Sequence, residues 1–158
     1  MKDQPIYILG ISAFYHDSAA CLIKNGVVLS AALEERFTRI KHDESFPLKA
    51  VEFCLTSNGI EIDDIDYVAY FEKPILKFNR ILSTFIRSAP KGFIPFKMAI
   101  QSWLKEKLWV GSVIKKELSY KGEVKYGKHH ESHAASSYYT SPFSECAFLT
   151  IDGVGESA

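Results

Sequence analysis

The first seventy residues switch between apolar runs and short polar breaks, and the period of each run predicts an element. Residues 6–11 form a continuous apolar run, the pattern of a strand buried on both faces. A second run, 18–23, reads as another strand. Lys24-Asn25-Gly26 then separates it from a third, 27–33. Asn-Gly suits the positive φ of a tight hairpin turn, so the chain is expected to open with a three-stranded meander. Residues 47–58 change to helical spacing, with Val51, Cys54 and Leu55 on one face and Gly59 as a stop. Residues 66–71 predict a fourth strand ended by Pro74, 124–126 a short fifth, 129–139 a helix, and 146–151 a sixth strand.

The stretch 73–118 has a different character. Between Lys73 and Lys116 stand ten lysines and arginines against one glutamate, Glu106, a local excess of nine positive charges in a chain of zero net charge. Phe78, Phe85, Phe93, Phe96, Trp103 and Trp109 are spread through it. Two or three helices broken near Ala89-Pro90-Lys91-Gly92 are expected, as an insertion packed on the core and facing another domain. The charge is offset elsewhere in the chain, which argues against a nucleic-acid partner.

The chain has 158 residues, 47% hydrophobic and 24% charged, enough for one domain with a real core. Cys21, Cys54 and Cys146 are odd in number and show no CxxC spacing, so free buried thiols in a reducing compartment are expected. The N-terminus lacks the apolar segment of a signal peptide, and no run reaches the roughly 20 residues of a membrane span. A cytoplasmic protein is the expectation. The chain stops just after a strand-like run and a glycine turn, which reads as a fragment of a longer protein.

Three clusters carry candidate chemistry. His129 and His133 stand four apart on the predicted helix, so both imidazoles reach one face. Asp152 ends the sixth predicted strand and precedes Gly153-Val154-Gly155, where glycine lets backbone amides approach a phosphate. Two histidines and a carboxylate are a common set for iron, zinc or manganese; the other reading is a helix with surface histidines. Glu131 is expected off the ligand face, and His130 beside it as a substrate contact or a solvated neighbour. Phe14-Tyr15-His16-Asp17-Ser18 occupies the loop between the first two strands. There His16 suits acid–base work and Asp17 either orients it or caps a turn. The charge-dense stretch 34–43 contains Lys41, a candidate for holding a phosphate or carbonyl oxygen, and otherwise reads as a solvated loop. The segment 8–11 with its loop ending Asp17-Ser18-Ala19 is echoed by 148–151 with its loop ending Glu156-Ser157-Ala158, a hint of a duplicated unit.

Taken in order, Leu9-Gly10-Ile11-Ser12, Tyr15-His16-Asp17-Ser18-Ala19-Ala20, the run 32–42, His129-His130-Glu131-Ser132-His133-Ala134-Ala135-Ser136 and Thr150-Ile151-Asp152-Gly153-Val154-Gly155-Glu156 resemble the O-carbamoyltransferases of the nodulation-protein-U and cephamycin type. The resemblance covers nearly the whole chain and is least in the basic middle segment. It implies an α/β fold: the first lobe of an actin-like ATPase (ribonuclease H-like) domain, with a mixed sheet, an opening meander, flanking helices and a helical insertion at about 73–118. This lobe would span 1–143, and 144–158 would be the first strand and turn of a truncated second lobe. It further implies that carbamoyl phosphate and ATP give carbamoyl-adenylate at a separate C-terminal domain, and that the carbamoyl group then passes to the hydroxyl of a small molecule. By motif position His129, His133 and Asp152 would hold a divalent metal, iron in the family's pattern. His16 would sit at the carbamoyl group with Lys41 nearby, and Gly153 and Gly155 would pack against the nucleotide phosphate. The isolated fragment would be inactive. Two rivals remain from the residues themselves: an actin-like small-molecule kinase, and a non-catalytic module that binds through the basic aromatic face.

Overall fold

The structure is a computed structural model and describes residues 4–88 and 107–151. The chain divides into two compact units, Met1–Tyr70 with Val110–Lys125 and Phe71–Trp109 with Tyr126–Ala158.

The first unit is built on the opening meander. Strands β1 (Tyr7–Ser12), β2 (Ala19–Lys24) and β3 (Val27–Leu33) pair antiparallel in sequence order. Asn25 and Gly26 turn the β2–β3 hairpin at φ 49° and 82°, the left-handed pair that Asn-Gly was expected to supply. Strand β4 (Tyr67–Tyr70) lies parallel to β1 on its other side, and β5 (Glu123–Tyr126) lies beyond it, giving the order β3-β2-β1-β4-β5. β1 is central, which accounts for its unbroken apolar run. Leu9 and Ile11 are buried there, with Leu22 and Ala20 respectively opposite them on β2. The switch from antiparallel to parallel needs a crossover, and the helix α2 (Leu48–Thr56) lies within it. Ala50, Val51 and Cys54 form its buried stripe against β2 and β3. Gly59 follows at φ 63°, the expected stop. The sequence did not predict the four-residue helix α1 (Glu35–Thr38) after β3 or the 3-10 turn Ile62–Asp64. Helix α4 (Val110–Glu117) buries Val110 and Ile114. The expected class, a mixed α/β sheet with an opening meander and flanking helices, is the one observed.

The second unit contains helix α3 (Pro74–Ser88), the 3-10 turn Lys107–Trp109 packed on it, and helix α5 (His129–Tyr138). The helix break expected near 89–92 lies outside the described residues. Among the described residues no helix is long and apolar enough to cross a membrane.

One predicted element is absent. Residues 146–151 form no strand, and Phe148, Leu149 and Ile151 are 64%, 83% and 85% exposed. No ladder among the described residues receives this segment. An apolar run without a partner strand leaves its amides to water. The first half of the internal echo is therefore a strand and the second half is not. Cys54 is buried and Cys21 half-buried as free thiols, but Cys146, in the unpaired segment, is exposed rather than buried.

Candidate active site

In the first unit, two loops are laced together. The amides of Phe14 and Ser18 donate to the carbonyls of Glu44 and Asp43, at 3.0 and 2.8 Å. The Tyr70 hydroxyl donates to the Ala13 carbonyl at 2.9 Å, which ties the first loop to β4. Asp43 is buried and holds its own loop by accepting from the hydroxyls of Thr38 and Ser45 and from the Ser45 amide. Phe14, Asp17, Arg39 and His42 all take positive φ without being glycine. Each such residue costs on the order of 1–3 kcal/mol and persists only where its surroundings impose it.

This lacing brings His16, Asp17 and His42 together. Asp17 Oδ2 lies 2.7 Å from His16 Nδ1, and Asp17 Oδ1 lies 2.9 Å from His42 Nδ1. The hydrogen bond from His42, and next that from His16, hold the Asp17 carboxyl below its usual range. An ionised carboxylate only accepts, so both imidazoles donate to it from Nδ1, and in its neutral form each leaves Nε2 as an acceptor. A carboxyl lowered in the folded chain stabilises it above the ordinary Asp value of about 3.9, and that contribution is lost as pH falls through the lowered value. In urea melts from pH 6 down to pH 2, the wild-type protein should therefore lose more stability than Asp17→Asn.

Lys41 is exposed in the adjoining turn. The stretch 34–43 is not a solvated loop throughout, because Glu34 and Asp43 are 3% and 6% exposed. His42 was not singled out from the sequence; it sits in a charge run, and its contact spans 25 residues.

In the second unit, His129 and His133 lie one turn apart on α5, with their Nε2 atoms 3.1 Å apart. For metal–nitrogen bonds of about 2.0–2.1 Å, two nitrogens on one ion stand roughly 3–3.4 Å apart, so the pair fits a shared ion. His129 Nδ1 faces Glu72 Oε2 at 3.6 Å, and that carboxylate also pairs with Lys77. Glu72, at 5% exposed, stands on the Nδ1 side of His129 beyond hydrogen-bond distance, so its influence on that ring is through charge. The Ser132 hydroxyl donates to the Phe71 carbonyl at 2.7 Å and anchors the helix beside Glu72. Among the described residues no three His, Cys, Asp or Glu side chains converge on one metal position. The expected third ligand, Asp152, lies outside the described residues, as do Gly153 and Gly155. His130 neither stands free in solvent nor points into open space, since its Nδ1 lies 2.9 Å from the Thr150 hydroxyl. Glu131 is exposed and paired with Lys128, off the ligand face as expected. Glu72 was missed because the sequence marks it only as the residue after a strand.

A family profile described as carbamoyltransferase N-terminus matches residues 7–158. The uncharacterized protein sll1178 of Synechocystis is 48% identical over 160 residues, 96% of this chain and 26% of its own length. Nodulation protein NolNO of Sinorhizobium fredii is 33% identical over 150 residues, 93% of this chain and 21% of its own. Among solved structures, YeaZ from Pseudomonas aeruginosa superposes with a TM-score of 0.42 at 14% identity, over 85% of this chain and 49% of its own. This chain thus spans about a quarter of the length of these two curated relatives. The match across all but the first six residues, in the order of the histidine-bearing motifs, shows that this chain belongs to the carbamoyltransferase N-terminus family.

Proposed function

We propose that this chain supplies the first lobe of an ATP- and carbamoyl-phosphate-dependent O-carbamoyltransferase, in which carbamoyl passes from carbamoyl-adenylate to the hydroxyl of a small molecule. The observation that carries the reading is the His129–His133 pair with converging Nε2 atoms, backed by the Glu72 carboxylate. His129 and His133, joined by Asp152, would hold a divalent metal, with iron as the candidate. Such an ion supplies positive charge to the adenylate phosphate. The hydrogen bond between His130 and Thr150 supports the reading, since it brings the chain to helix α5 two residues before Asp152. Gly153 and Gly155 are assigned to the phosphate, where the lack of Cβ permits close approach.

His16 is assigned the acceptor. Its Nδ1–H rests on Asp17, so Nε2 is free to take the hydroxyl proton. The acceptor oxygen bonds to the carbamoyl carbon, the bond from that carbon to the phosphate oxygen breaks, and AMP leaves. Lys41 offers an ammonium to the departing phosphate or the carbamoyl oxygen. The adenylate is made by a further domain of the whole protein, so the 158-residue chain alone is expected to transfer nothing.

The test uses the whole protein purified without chelator. About one transition-metal ion per chain should be retained, and His133→Ala should weaken retention by at least tenfold, read by elemental analysis after dialysis. Carbamoyl phosphate, ATP and a hydroxyl acceptor should give AMP and a carbamoylated product. Formation of ADP and a phosphorylated acceptor, with no metal retained and no effect of His133→Ala, would replace this reading with a kinase.

A further inference from the structure

The geometry points to His42 as a positioning residue that, through Asp17, fixes the proton of His16 on Nδ1. The inference rests on the proposed role of His16 as base, and the geometry beneath it is independent of that role.

Asp17 has two carboxylate oxygens, and each takes one imidazole: Oδ2 faces His16 at 2.7 Å and Oδ1 faces His42 at 2.9 Å. His16 is the adjacent residue in sequence and cannot by itself define the rotation of the Asp17 carboxylate, because both side chains hang from the same loop. His42 comes from the other loop. Its amide donates to Glu35 Oε2 at 3.2 Å, which anchors its backbone to α1. Its φ of 56° directs the chain so that the imidazole reaches back to Asp17. The carboxylate is held from the far side, and its remaining oxygen is presented to His16 Nδ1. The exposure of the two histidine side chains, 66% and 60%, makes this orientation matter. An exposed neutral imidazole in water populates both tautomers, and only a fixed acceptor at Nδ1 keeps Nε2 unprotonated and ready to act as a base.

The positive φ at His42 also supplies clean variants. Glycine and asparagine both tolerate that conformation, so neither strains the backbone. His42→Gly removes the donor. His42→Asn keeps a side-chain amide donor within reach of Asp17 Oδ1.

The first measurement is nitrogen–proton correlation NMR on the histidine-labelled protein at a pH where the imidazoles are neutral. The wild-type chain should show His16 as the Nδ1–H form. His42→Gly should shift His16 toward a mixture of tautomers, and His42→Asn should restore the wild-type signature. The second is carbamoyl transfer by the whole protein. There His42→Gly should lower kcat roughly three- to tenfold with KM for the acceptor unchanged, and His42→Asn should recover most of it. An unchanged His16 tautomer in His42→Gly overturns the inference, as does a His42→Asn protein that matches His42→Gly. If the whole protein transfers no carbamoyl group, the transferase reading fails, while the tautomer measurement still decides whether His42 positions His16.

Discussion

Glu72→Ala is expected to cost about 3–5 kcal/mol of stability and most of the metal affinity, because one carboxylate serves two neighbours. Glu72 and Lys77 are 5% and 8% exposed and form an ion pair, and His129 Nδ1 stands 3.6 Å from the same oxygen. Removing the carboxylate takes a buried counter-charge away from the Lys77 ammonium, which costs more than breaking an exposed pair such as Lys128–Glu131. The two roles separate by choice of variant. Glu72→Gln keeps the volume and a hydrogen-bonding oxygen but not the charge. It should lower metal affinity about 10–100-fold with a smaller loss of stability. Replacing both partners, Glu72→Leu with Lys77→Met, removes both buried charges together and should return stability close to wild type without returning the metal. Urea melts and metal titration on the same set of proteins read the two effects independently. A double variant that binds metal as well as wild type would show that the Glu72 charge does not act on His129.

The elements that came correctly from the sequence are those whose signal is local. The β1–β2–β3 meander follows from three apolar runs and the Asn25-Gly26 turn, and α2 from the spacing of Val51, Cys54 and Leu55. Their ends fall within a residue or two of expectation, since fraying and turn geometry decide the last pair. The i, i+4 pair His129 and His133 was legible for the same reason, being a property of one helix. What failed or was missed depends on distant partners. Residues 146–151 have the composition of a strand but no strand beside them among the described residues. Glu34, His42 and Asp43 look like members of a solvated charge run, yet each is defined by contacts with other segments: Glu34 with α2, His42 with Asp17, and the Asp43 carbonyl with the Ser18 amide. Glu72 belongs to the same class. A carboxylate and its non-local donor carry no periodicity, so nothing in the order of residues announces the pair.

Glu34 did leave one readable trace, and it leads to the other large effect. Helix α2 begins at Leu48 after Pro47, which has no side-chain group to cap the exposed amides of the first turn. A helix that starts in this way needs an acceptor from elsewhere, and Glu34 supplies it. One carboxylate oxygen accepts from the Lys49 amide at 3.2 Å and the other from the Ala50 amide at 2.8 Å, the positions that a local cap would serve. The negative charge also opposes the positive end of the helix. The backbone of Glu34 extends the same tie, since its amide donates to the Ser18 carbonyl at 2.8 Å and its carbonyl accepts from Phe37 and Thr38. The residue therefore joins α2 to the loop that carries His16 and Asp17. Glu34→Ala leaves two amides near the core without an acceptor and loses the cap, at an expected cost of about 2–4 kcal/mol. In a chain of this size that lowers Tm by roughly 5–15 °C. Glu34→Gln retains one acceptor oxygen and should lose about half as much. The effect should also reach the Asp17 bridge. NMR signals of His16 and His42 should broaden or shift in Glu34→Ala and stay near wild type in Glu34→Gln. A stability loss under about 0.5 kcal/mol in Glu34→Ala would mean that water serves the first turn of α2 as well as the carboxylate does, and that the loop bearing His16 is held without it, by the Asp43 and Glu44 carbonyls, the Tyr70 hydroxyl and the backbone amide at position 34.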